Sequence, residues 1–149
     1  MYENLKNLID RTMILNQGNE GEVNPAWIDD AEQKLGFNLP PSYRWRLLKY
    51  GSGFLDNSPI YTLAPPEFRD SADSDLLYAD KINKQNGLTS FGRLYFYEPD
   101  GDQRYFFDMT RKDENQDNPV MVEDLAEQDI YEYGGNFSDF LRREIELRS

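Results

Sequence analysis

The chain contains no cysteine and no histidine. Without cysteine there is no disulfide and no thiolate metal site. Without either residue, the Ser-His-Asp triad, the Cys-His pair and the usual zinc sites are excluded. What stays open is carboxylate acid–base work, lysine or tyrosine chemistry, and hard cations held by oxygen. Long apolar runs are missing too, and none approaches the length of a membrane span. The opening Met1-Tyr2-Glu3-Asn4-Leu5-Lys6 lacks the basic start and apolar stretch of a signal peptide. A cytoplasmic location is therefore expected. Positive charge is scarce: 16 Lys and Arg stand against 28 Asp and Glu, a net charge of −12. Such a surface repels nucleic-acid phosphates and anionic membranes and draws in cationic partners. Neither nucleic acid nor a membrane is an expected ligand.

What is present suffices to fold. Hydrophobic residues make up 38% of the 149 and aromatics 14%, which suits one domain over residues 1–149 with a proper core. Tyr2, Leu5, Leu8, Ile9 and Met13 share one face, predicting an amphipathic helix over residues 2–15, followed by a polar loop to Glu22. Asn24-Pro25 predicts the cap and first residue of a second helix, which Gly36 ends in a left-handed conformation. Pro40-Pro41 opens a third helix, running to Tyr50 and stopped by Gly51. A short strand is expected over residues 59–63 and a helix over 73–86. Leu94–Glu98 and Gln103–Met109 are aromatic-rich strands around Pro99-Asp100-Gly101-Asp102, and Asp-Gly between such runs signals a hairpin. Val120–Val122 is a further strand. Asn136 caps a last helix carrying Phe137, Phe140, Leu141 and Ile145. This order predicts an α+β domain with a mostly antiparallel sheet and N-terminal and C-terminal helices packed on one face.

The segment Trp27 to Tyr43 contains Ile28, Glu32, Leu35-Gly36, Leu39-Pro40 and Tyr43, followed by Leu47-Leu48 and Gly51-Ser52-Gly53. In this it resembles the opening of the SUKH superfamily, which holds yeast cell-wall-synthesis regulators of the Smi/Knr type and many bacterial immunity proteins. The Phe96–Asp108 hairpin, Pro119-Val120 and Phe137-Ser138-Asp139-Phe140-Leu141 follow in the family's order. The motif itself reads as a folding signature: Leu35 and Leu39 bury on either side of the Gly36 turn, and Glu32 is expected to cap or to face solvent. The resemblance implies an immunity protein that binds and neutralises a cognate toxin, a cationic nuclease, by occluding its active site. A regulatory protein-interaction module like the yeast proteins is the alternative it implies. An enzyme is not expected, although a carboxylate enzyme with two facing acids is the third class weighed.

Candidate contacts follow from where the acids lie. Residues 98–149 carry 15 acids and 6 bases, whereas residues 1–97 carry 13 and 10. The expected partner-binding set is therefore Glu98, Asp100, Asp102, Asp113, Glu114, Asp117, Glu123 and Asp124, with Tyr97 and Tyr105 as outward-facing aromatic anchors. Asp113-x-Asn115-x-Asp117 partly fits the calcium-loop pattern, but Asn118 stands where the turn glycine belongs and Pro119 follows. A plain polar loop is expected there, and no cofactor or metal. Asp73 and Asp75 read as helix-opening acids. The toxin and the oligomeric state are left open.

Overall fold

The structure, a computed structural model, describes residues 2–12, 15–99 and 101–148, apart from the side chains of residues 15–17. Helix α1 spans Glu3–Arg11 and buries Leu5 and Ile9. Met13, expected on the same face, lies outside the described residues. The chain then becomes strand β1, Leu15–Gln17, where a loop was expected, because it pairs with β2, Gly53–Leu55. Helix α2, Pro25–Leu35, starts as read: the Asn24 side chain accepts from the Ala26 N–H. Gly36 ends it at φ 85°, where a Cβ would be strained. Helix α3 spans Pro41–Tyr50.

Glu32 joins these two helices. One carboxylate oxygen accepts from the Leu39 N–H at 2.7 Å, and the other meets Arg44 at 3.2 Å. The acid in the motif thus fixes the turn from α2 into α3. Tyr43 is fully buried, donates its hydroxyl to the Tyr61 carbonyl and packs edge-on against Phe107 and Phe137.

Strand β2 turns directly into β3, Ser58–Ile60, through Asp56 and Asn57, both at positive φ. A 3-10 helix over Pro66–Ser71 and helix α4 over Leu76–Gln85 follow. Buried Asp75 caps α4 through the Tyr78 N–H and also accepts from the Ala64 N–H. Then come β4 (Arg93–Tyr97), β5 (Gln103–Asp108), β6 (Val120–Asp124), β7 (Asp129–Gly134) and helix α5 (Phe137–Arg148). Asn136 caps α5 by accepting from the Asp139 N–H.

All seven strands form one antiparallel sheet in sequence order, β1 and β7 at its edges. One sheet face meets the helices: Leu94, Phe96, Phe107, Val120 and Val122 join Phe137, Phe140, Leu141 and Ile145 of α5 in the core. Phe96 and Phe107 stack at 4.2 Å between ring centroids. The register of β4 shifts between Tyr95 and Tyr97. This bulge lets neighbouring Phe96 and Tyr97 both face the core, which strict alternation forbids. Tyr95 and Phe106 pack against each other outside that core. The fold is α+β, as the element order predicts.

Candidate functional site

Of the ten acids and tyrosines expected at one surface, the nine that are described are divided among four places. Tyr97 and Tyr105 are core residues, 2% and 6% exposed, packed against Phe140. Burial raises both hydroxyls to about 12. Their expected role as outward anchors is corrected: the β4 bulge turns Tyr97 inward, and Tyr105 faces the core by ordinary alternation with Phe107 on β5.

Glu98 and Glu123 converge on Arg104, at 2.7 and 3.0 Å. Glu98 also accepts from the Tyr61 hydroxyl and the Asn83 amide. Glu123 accepts from the Tyr95 hydroxyl, and the Arg104 guanidinium lies 3.8 Å from the Tyr95 ring centroid. Both carboxylates are half-buried and already paired, so they hold α4 and the sheet together. A partner would have to break those bonds to use them.

Asp113, Glu114 and Asp117 sit in the β5–β6 connection, at the opposite end of the strands from the β4–β5 hairpin. Asp113 caps its own loop through the Asn115 and Asp117 N–H groups. Asp117 is 4% exposed, and one of its oxygens accepts from both the N–H and the hydroxyl of Ser42. It ties the loop to the start of α3 and offers no free charge at the surface. Glu114 is exposed. Among the described residues no group of three or more acids is placed to hold a metal ion. Asp100 lies outside the described residues.

Asp102 and Asp124 are brought together. Gln103 pairs with Asp124 across β5 and β6, and the Leu125 N–H donates to the Asp102 carbonyl. Around them the structure adds residues that the sequence reading missed. Strand β7 runs along the edge with Asp129 opposite Asp124, and Glu127 lies in the turn between. Among the described residues Asp102, Asp124, Glu127 and Asp129 make no ion pair. Leu125, Ile130 and Tyr131 are exposed beside them. The result is a sheet edge with open backbone groups, exposed apolar side chains and unneutralised acids.

The signal for β7 is present in Asp129-Ile130-Tyr131-Glu132-Tyr133, a run of β-formers interrupted by acids. It is hard to see because its turn uses Gln128 at positive φ in place of an Asn-Gly or Asp-Gly pair. Exposed acids on such an edge discourage pairing with another acidic strand, including a second β7. The same acids favour a basic partner.

No described helix is long and apolar enough to cross a membrane. A family model described as SMI1-KNR4 cell-wall, of the SUKH type, matches residues 25–141. No curated protein matches the chain.

Proposed function

Because this chain belongs to the SMI1-KNR4 family of the SUKH superfamily, we propose that it acts by binding another protein and that it is an immunity protein. It captures a basic toxin domain and covers that domain's active site, with no catalysis of its own. The observation that carries this reading is the β6–β7 edge. There Asp102, Asp124, Glu127 and Asp129 make no ion pair among the described residues and lie beside exposed Leu125, Ile130 and Tyr131. Unpaired acids steer a cationic partner into place, and the apolar side chains supply desolvated contacts that hold it.

The test is whether a protein with a C-terminal toxin domain is encoded beside this gene and, with that toxin, co-expression. Glu127→Lys with Asp129→Lys should abolish protection, and Tyr131→Ala should weaken the complex by about tenfold to a hundredfold in calorimetry. Full protection by all these variants would remove the edge from the interface. The family description also names the cell wall, which favours a second reading as a regulatory interaction module. Such a module would have several cellular partners and no adjacent toxin gene.

A further inference from the structure

A second surface has the opposite electrical character. Between the end of α2 and helix α4 lies a cavity of about 670 Å³, floored by Leu35, Phe37 and Met109. A neighbouring cavity of about 400 Å³ shares Leu35, Asp80 and Lys84 with it, so the two form one groove. Phe91, on the lip, is 98% exposed, and Leu88 and Phe68 are exposed nearby in sequence to other lining residues. A phenylalanine held almost wholly in water beside an apolar hollow marks an interaction site.

The charge around the groove says what it takes. Lys34, Lys81, Lys84 and Arg93 line it, against Asp70 and Asp80; Arg69 lines it too, but its side chain is only 8% exposed and is held by Asp30 and Asp75. In a chain with 28 acids and 16 bases, that excess of cations is a local reversal. Lys34 is paired with Asp30, Lys84 with Asp80 and Lys81 with Asp70, but these lysines stay more than half exposed. The Lys34 and Lys81 pairs are exposed on both sides and rearrange readily, whereas the Asp80 carboxylate is only 10% exposed, so Lys84 keeps that partner and presents its remaining donors to the groove. Arg93 makes no ion pair among the described residues; it lies over the Phe106 ring at 4.9 Å and donates to the Tyr95 hydroxyl.

We propose that this groove binds an acidic peptide segment of a partner protein, with an aromatic or large aliphatic side chain seated against Phe91, Phe37 and Met109. Lys84 and Arg93 then receive the carboxylates that flank that anchor. The surface is separate from the acidic β6–β7 edge and opposite in sign, so it engages a different segment. The proposal does not depend on the partner at the edge being a toxin.

The probe is a fluorescently labelled seven-residue peptide of Asp and Glu around a central Phe, titrated with the full chain and followed by anisotropy. Saturable binding is expected below about 1 mM, lost when the peptide acids are replaced by Lys. Phe91→Ser and Arg93→Gln should each weaken it by about fivefold or more, whereas Tyr131→Ser at the other surface should not. Phe91 is so exposed that the variant keeps the parent's unfolding midpoint, which separates lost binding from lost fold. Absence of saturable binding, equal binding of the Lys peptide, or indifference to Phe91→Ser and Arg93→Gln would each overturn the proposal. So would preferential binding of octanoate, which assigns the groove to small apolar acids.

Discussion

At the scale of single residues, burial decides what an acid does, and Asp117 is the clearest case. Counted in the sequence as surface charge, it accepts from the Ser42 N–H and hydroxyl and is nearly sealed from water. Burial raises its pKa, the Ser42 bonds oppose that shift, and the Asp113 and Asp139 charges add to it. A carboxyl whose folded pKa lies above its unfolded value disfavours the fold when ionised. That penalty is present at neutral pH and disappears as pH falls through the folded pKa. Asp117→Asn keeps an acceptor for Ser42 and removes the charge. Relative to the parent it should be most favourable at neutral pH, with the advantage shrinking toward about pH 4. Asp117→Ala leaves the Ser42 N–H without its acceptor and should cost about 1–3 kcal/mol. Urea unfolding at the two pH values checks both. If the Asn variant loses as much as the Ala variant at neutral pH, the ionised charge is what holds α3.

At the scale of elements, legibility followed local chemistry. The caps of α2 and α5, the Gly36 stop and the β4–β5 hairpin were readable because each is written in two or three adjacent residues. Strands β1, β2 and β3 have three residues each, too short for a period of two to stand out. The expected strand over 59–63 came out as Ser58–Ile60, although Asp56-Asn57 was a turn signal available to find. Helix α1 stops at Arg11 because the next segment is recruited by β2, a long-range pairing that local propensity cannot report. The inward turn of Tyr97 was invisible for a related reason: a bulge flips one side chain without changing composition. Gly36 offers a direct check on the readable part. Its φ of 85° is left-handed, yet beyond its own chain neighbours nothing lies within 4 Å of where a Cβ would sit. Gly36→Ala should therefore cost only the backbone term, about 1–2 kcal/mol, and Gly36→Asn should recover part of it. Thermal unfolding of the pair measures this, and an Ala variant as stable as the parent would mean the turn relaxes out of the left-handed region.

At the scale of the whole molecule, the net charge of −12 is an average over two unlike surfaces. Lys34, Lys81, Lys84 and Arg93 line the α2–α4 groove, while Asp102, Asp124, Glu127 and Asp129 at the β7 edge make no ion pair among the described residues. Long-range attraction of a basic partner depends on the total field, whereas the lifetime of the complex depends on what is desolvated at the edge. These two contributions separate under salt. Raising ionic strength from about 50 to about 500 mM shortens the screening length from roughly 14 to roughly 4 Å. Association with the basic partner should then slow by about tenfold or more while dissociation changes little. Glu127→Lys with Asp129→Lys should flatten that salt dependence, and Ile130→Ala with Tyr131→Ala should leave it intact while speeding dissociation. Stopped-flow kinetics on the parent and the two double variants at both ionic strengths distinguishes steering by the edge from steering by the chain as a whole. A salt slope unchanged by the two lysine substitutions would assign the attraction to acids elsewhere on the molecule. The edge would then hold the partner through its apolar residues alone.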